Sequence, residues 1–190
     1  AVSALGLDLP PEAGDLLLDL CELLALWGAR VNLTAHRTPD AILDRLVLDA
    51  LTLDSLLPPA RRVADLGAGA GFPGLPLAIT RPDSSFSLVE ARERRHHFQR
   101  EAVRRLGLGN VSPRLGRAER LEPEPHDLVL AQAMGPPQDV APLLLRWAAP
   151  GGLVAIPGGV SPPQPGPVAG IHDVEVLHYR VPLTGVERTL

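Results

Sequence analysis

Asp65, the glycines at 67, 69, 71 and 74, Pro73 and Glu90 are the residues whose types and spacing could do chemistry together. Val63-Ala64-Asp65-Leu66 is a short apolar run with one acid, and it feeds straight into Gly67-Ala68-Gly69-Ala70-Gly71-Phe72-Pro73-Gly74. Such a stretch reads as a strand that turns sharply into a helix and lays backbone bare beside a small polar ligand. Gly69-x-Gly71-x-x-Gly74 matches the dinucleotide pattern, and Glu90 stands about 20 residues further on, where that pattern wants an acid on a ribose. Two residues argue against a pyrophosphate. Pro73 lacks the N–H that a phosphate cradle uses, and Asp65 puts a carboxylate at the strand's end, where an anion is repelled. A ligand carrying an ammonium and a sulfonium is favoured instead, because Asp65 complements its charge through the turn. S-adenosylmethionine has that shape.

Both acids have a plainer reading. Asp65 could cap backbone N–H groups of the turn without touching a ligand. Glu90 could be an exposed helix-cap acid, although an acid ending the second strand of a doubly wound sheet points over the ligand crevice and can hold two ribose hydroxyls.

The elements that must position these residues follow from periodicity and punctuation. Leu9-Pro10-Pro11-Glu12 opens a helix on which Leu16, Leu17, Leu20, Leu23, Leu24 and Trp27 recur at helical spacing. Thr38-Pro39 starts another, with Ile42, Leu43, Leu46, Val47, Ala50 and Leu53 on its apolar face, and Pro58-Pro59 stops it. The first third, residues 1–58, is therefore expected to be a helical cap on a domain spanning 59–190. After the glycine turn come a helix to Thr80, a strand from Phe86 to Val89, a helix from Arg92 to Arg105 and a strand near Val111 to Leu115. Strands are also expected at Asp127 to Ala131 and at Leu153 to Ile156 after a Pro150-Gly151-Gly152 turn, and a closing pair near Val174 to Val181 and the C-terminus. Pro157 to Pro167, dense in glycine and proline, reads as a loop. Alternation of this kind gives an α/β fold: an open, mostly parallel sheet with helices on both faces and a ligand crevice at the carboxyl ends of the central strands.

Length and composition bound the rest. A chain of 190 residues, 45% hydrophobic, supports one globular domain with a small extension. The single cysteine, Cys21, lies in a leucine-rich helical pattern and reads as a buried small hydrophobe, so no disulfide or cysteine zinc site arises within the chain. No run has the apolar length of a membrane span and the N-terminus lacks a signal peptide's basic flank, so a cytoplasmic protein with no membrane partner is expected. Every basic side chain other than histidine is arginine, and the net charge of −4 argues against an extended nucleic-acid-coating surface. The densest positive patch is Arg92 to Arg105 with His96 and His97. It reads either as a solvated face partly paired with Glu93 and Glu101, the commoner meaning, or as a surface that tracks phosphates.

Several stretches in order resemble the GidB, or RsmG, family. They are Val31-Asn32-Leu33-Thr34-Ala35, Leu48-Asp49-Ala50-Leu51, the core from Asp65 to Ile79, Arg81-Pro82-Asp83, Leu106-Gly107-Leu108-Gly109-Asn110-Val111, Gly116-Arg117-Ala118-Glu119 and Gly185-Val186-Glu187-Arg188. The Gly-Phe-Pro-Gly-x-Pro core is far more specific than a generic glycine turn. The resemblance implies a class I methyltransferase fold acting on N7 of one guanine in bacterial 16S ribosomal RNA, as RNA or within the small subunit, by a monomer. It implies S-adenosylmethionine around Asp65, Gly67, Gly69 and Phe72, its ribose near Glu90, its adenine near Ala118 and Glu119, and Gln132 at the cofactor mouth, with no metal. Arg117 and Arg188 match family arginines and are expected to position the substrate; their plainer readings are a salt bridge and a surface charge. Guanine N7 already offers a lone pair and carries no proton, so no general base is required.

The chain departs from the family at three polar positions. Gln132 replaces an arginine after the fourth strand, Pro157 replaces a lysine after the fifth, and Leu46 replaces a histidine. Two other readings therefore stand beside the first: a diverged S-adenosylmethionine binder with another substrate or none, and, far behind, a nicotinamide-dependent oxidoreductase, which Pro73 and Asp65 fit poorly.

Overall fold

The computed structural model describes residues 7–159 and 168–190, so most of the Pro157 to Pro167 stretch lies outside the described residues. Five strands, β1 (Arg62–Leu66), β2 (Ser85–Glu90), β3 (Val111–Leu115), β4 (His126–Leu130) and β5 (Ala148–Ala155), form one sheet in the order β3-β2-β1-β4-β5. Every pairing in it is parallel. Parallel neighbours need crossovers, and helices α4 (Gly74–Thr80), α5 (Glu93–Leu106) and α6 (Pro137–Trp147) supply three of them. The chain order reverses between β1 and β4, which opens a crevice at their carboxyl ends.

Side chains alternate across the sheet as a two-residue period demands. Val63, Phe86, Leu88, Leu128 and Leu130 pack on one face with Leu75, Leu77 and Ile79 of α4, Phe98 and Ala102 of α5, and the N-terminal helices. Ala64, Leu66, Val89 and Val129 pack on the other with Val140, Leu144 and Trp147 of α6. Helix α1 (Ala13–Gly28) buries Leu17, Leu20, Cys21 and Leu24, and Trp27 meets Phe98 edge-on at 5.7 Å. Burial pushes the Cys21 thiol up to about 12, so it is a core residue and not a nucleophile. The segment 13–57 thus shares one continuous core with the sheet.

Three local features differ from the sequence expectation. The second helix is α2 (Pro39–Ile42), a π-helical turn over Leu43–Val47, and α3 (Leu48–Asp54). Such a turn shifts the helical phase and recurs at functional sites, which apolar spacing alone does not reveal. Pro150, Gly151 and Gly152 lie within β5 instead of preceding it, where the register against β4 shifts between His126 and Leu128. An exposed edge strand tolerates proline and glycine at a bulge. The closing pair is shorter than its apolar residues suggest: β6 (His178–Arg180) and β7 (Glu187–Thr189) pair antiparallel, apart from the main sheet. Gly158 N–H donates to the Thr189 carbonyl at 2.9 Å, and the Thr189 hydroxyl donates to the Gly159 carbonyl at 2.7 Å, so this hairpin is fastened to the segment after β5.

Asp54, buried at the end of α3, accepts from the Thr80 hydroxyl at 2.8 Å and pairs with Arg81. The same arginine donates to the Leu57 and Pro58 carbonyls, locking the N-terminal helices to the end of α4. No described helix is long and apolar enough to cross a membrane.

Candidate functional site

The carboxyl ends of β1, β2, β4 and β5 open on a cavity of about 1490 Å³. That exceeds what one drug-sized ligand fills, about 300–1,000 Å³, so a nucleoside cofactor and a second base both have room. The glycine turn after β1 forms its floor. Gly67 has φ +68° and faces the β4–α6 loop so closely that a Cβ would lie 2.8 Å from the Met134 sulfur. A side chain there would collide with Met134, whereas one at Gly69 would meet nothing closer than 3.8 Å.

Asp65 is 1% exposed and does not line the cavity. Its Oδ2 accepts the Gly74 N–H at 2.9 Å, which is the capping arrangement, while Oδ1 has no partner. Burial pushes this carboxyl up to about 7, with the hydrogen bond from Gly74 opposing and the Glu90 charge adding to the rise. Because the folded value lies above the ordinary 3.8, Asp65 contributes stability that is fully present below that value. It is lost as pH rises to about 7. Asp65→Asn keeps the acceptor for Gly74 and removes the titration, so the fall in unfolding free energy between pH 5 and pH 8 should shrink by roughly 2–4 kcal/mol. Urea denaturation at both pH values checks this; parallel profiles for the two proteins would refute it.

Glu90, 5% exposed at the end of β2, lines the cavity. Its Oε2 accepts the Gly69 N–H at 3.0 Å and its Oε1 accepts the Arg92 N–H at 2.7 Å, with the Arg95 guanidinium 3.9 Å away. It therefore holds the glycine turn as well as facing the crevice. A carboxylate offers about four lone-pair sites, so hydroxyl groups of a ligand can still be accepted. Gln99 braces the turn from behind by donating to the Gly69 carbonyl at 2.9 Å.

The structure gathers Gly67, Gly69, Phe72, Glu90, Gln132 and Arg188 around this one cavity, with Leu46 and Pro157 also in its wall. Four of the expected residues lie outside the lining: Asp65, Arg117, Ala118 and Glu119. Ala118 is buried, its carbonyl accepting the Trp147 indole N–H at 3.3 Å, and the Glu119 carbonyl accepts from Arg146 at 3.1 Å. Their segment nonetheless starts beside Glu90, whose carbonyl accepts the Gly116 N–H at 3.0 Å. Arg117 is exposed and makes no ion pair among the described residues.

Asp49 is the residue that sequence reasoning missed. It is 6% exposed, lines the cavity, and accepts from Tyr179 at 3.2 Å, Arg188 Nε at 3.2 Å and Gln132 at 3.5 Å. Burial first, and then the Asp49 charge, raise the Tyr179 phenol above its ordinary value. The available signal was an acid in the middle of the apolar run Leu46 to Leu53, where a charge survives only with partners.

The cavity wall carries four arginines, Arg45, Arg92, Arg95 and Arg188, against two carboxylates, Asp49 and Glu90, although the chain is net acidic. From Arg92 and Arg95 the positive face continues along α5. Its far end is the solvated kind, Arg104 and Arg105 both pairing with Glu101, whereas Arg92, Arg94 and Arg100 make no ion pair among the described residues.

Among solved structures, the chain is similar to an S-adenosylmethionine-dependent methyltransferase from Aquifex aeolicus, with a TM-score of 0.55 and 21% identity over 78% of this chain and 92% of that one. It is also similar to a coclaurine N-methyltransferase bound to N-methylheliamine and S-adenosylhomocysteine, with a TM-score of 0.54 and 20% identity over 79% of this chain and 44% of that one. Both likenesses give the class I methyltransferase fold. A ribosomal RNA small subunit methyltransferase G from Azoarcus sp. strain BH72 is 39% identical over 162 residues, which is 85% of this chain and 76% of that protein. The family described as rRNA small subunit methyltransferase G, GidB, matches residues 14–162. The chain belongs to the GidB family.

Proposed function

We propose that the protein transfers a methyl group from S-adenosylmethionine to N7 of a guanine in 16S ribosomal RNA, acting as a monomer on the RNA or on the small subunit. The observation that carries this reading is the cavity at the β1–β4 reversal, which combines a bare glycine turn, a turn-bound Glu90 and an arginine-rich wall in a member of this family. The residues present fit the cofactor: Gly69 leaves open backbone on the cavity floor beside Gly67 and Met134, Phe72 offers an apolar ring, and Glu90 keeps acceptor capacity for ribose hydroxyls. Gln132 borders the same space. Asp65 acts through the turn that it caps, while Ala118 and Glu119 bound the adenine side from the edge of the crevice next to Glu90.

When bound, S-adenosylmethionine supplies an electrophilic methyl carried on a sulfonium. The methyl would go to guanine N7, which offers a lone pair and carries no proton, so the protein would need no proton acceptor and the base would become cationic. The protein's part is then alignment and electrostatics. Arg188, and Arg117 from outside the cavity, hold the RNA. The unpaired arginines of α5 continue the cavity's positive wall outward, where a strand of phosphates would run. Residues of the helical segment, among them Leu33, Arg45 and Asp49, and residues of the sheet segment line the cavity from two sides.

Deleting the gene should leave one 16S guanine unmethylated. Primer extension after borohydride reduction and aniline cleavage reads this directly: a strong stop in the parent strain should vanish in the deletion strain and return on complementation. An unchanged pattern would favour a diverged binder with another substrate, the reading to which the loss of charge at Gln132 points.

A further inference from the structure

Asp49 is a charge buried in an apolar helical turn, and it faces donors that arrive from three distant parts of the chain. Gln132 comes from the segment after β4, Tyr179 from β6 and Arg188 from β7. A carboxylate removed from water needs such partners, and a pair serving only stability could lie anywhere in the core. This one lies in the cavity wall, where Asp49, Gln132 and Arg188 stand together.

The direction of the ion pair matters. Arg188 is bound through Nε at 3.2 Å, and its two Nη groups have no hydrogen-bond partner among the described residues. The terminal fork is therefore free to donate to something in the cavity while its stem is fixed. Guanine offers O6 and N7 on one edge. A donor on N7 would occupy the lone pair that must attack, whereas a donor on O6 places N7 beside it and leaves it free. An arginine near the base has an electrostatic drawback, because the base becomes cationic as the methyl arrives. A carboxylate on the far side of the same guanidinium cancels that charge.

We propose that Asp49 is a positioning residue for methyl transfer, fixing the Arg188 fork against guanine O6 and neutralising its charge as the base turns cationic. The inference rests on the guanine-N7 reading above. It goes beyond an architectural role for the contact, which would only fasten the C-terminal hairpin to α3.

Asp49→Asn tests it, because asparagine keeps the size and one acceptor oxygen and loses the charge. In full-length protein, transfer of labelled methyl to 16S RNA or small subunits should show kcat lowered about 10- to 100-fold. S-adenosylhomocysteine affinity, measured without RNA, should stay within about twofold, since Asp49 acts on the acceptor's side. The decisive readout is Asp49→Asn combined with Arg188→Gln. If Asp49 works through Arg188, the second change adds less than about twofold to the loss caused by Arg188→Gln alone. Multiplicative losses would overturn the proposal, as would an Asp49→Asn enzyme as fast as the parent. Should Asp49→Asn fail to fold, Tyr179→Phe, which removes one donor to Asp49 and no charge, should show the same dependence on Arg188, and independence there would overturn it equally. No transfer by the parent protein to any RNA would overturn the guanine-N7 reading and this proposal together, whereas an active parent with independent Asp49 overturns only this one.

Discussion

In Glu90→Ala, affinity for S-adenosylhomocysteine should fall about 100-fold or more, and the protein should lose about 3 kcal/mol of stability. The two losses share a cause. The carboxylate accepts the Gly69 and Arg92 N–H groups at 3.0 and 2.7 Å and is 5% exposed. Hydrogen bonds to a charged group contribute about 1.5–3 kcal/mol each, and both donors here are only partly buried, so water can take over part of what is lost. Alanine therefore releases the glycine turn and removes the acceptor proposed for the ribose. Glu90→Gln separates the effects, because its carbonyl keeps one backbone donor while its NH₂ faces the other, so both losses should be partial. Calorimetric titration with S-adenosylhomocysteine and urea denaturation of both variants provide the check. Affinity within threefold of the parent in Glu90→Ala would remove Glu90 from the site.

Gly71→Ala should be the most damaging single methyl in the turn. At φ +86° an L-residue is strained, and the added Cβ would lie 2.4 Å from Leu75 Cδ1 and 2.6 Å from its Cγ. Leu75 is fully buried at the start of α4, so it cannot swing aside into solvent. Strain and overpacking together cost about 3–5 kcal/mol, or roughly 10 °C in Tm for a chain of this size. Gly107→Ala is the control: φ is +65° at the end of α5, but nothing lies within 4 Å of the new methyl. Its cost should be only about 1 kcal/mol. Thermal unfolding of the pair decides the matter, and equal shifts would mean that the Leu75 contact carries no weight.

The sheet and the turn were legible because their signals are local. Short apolar runs, a run of glycines and the Gly107 stop each concern a few adjacent residues, and they recover the order of the sheet strands and of the helices other than α6, whose residues carried no such stop or start in the sequence reading. Glu90 was legible as a cavity acid, but its hold on Gly69 was not, because that bond crosses from one strand end to the next. Asp65 left two readings open from sequence, and the Gly74 N–H selects capping. Asp49 and Tyr179 escaped notice for a different reason: their bond spans 130 residues, and no periodicity reports a contact of that range. Arg117, Ala118 and Glu119 were matched to a family pattern, which carries residue types and not the direction in which a backbone turns; here the turn leaves them outside the cavity lining. Along α5, sequence could not divide solvated from unpaired arginines, since both lie on exposed helix and only Glu101 tells them apart.

The C-terminal hairpin gives the site an uneven energy landscape. Three residue pairs hold β6 to β7, and a ribbon that short is marginal by itself. The Gly158–Thr189 bonds and Asp49 anchor it to the body, while the glycine turn is rooted in the core through Ala68, Ala70 and Leu75. Partial opening at the lowest free-energy cost should therefore release the hairpin first and leave the turn intact. Arg188 rides on that hairpin, so such an opening should carry one wall of the cavity away while the glycine turn keeps its place, an asymmetry that would suit a bulky acceptor entering beside a cofactor site already formed.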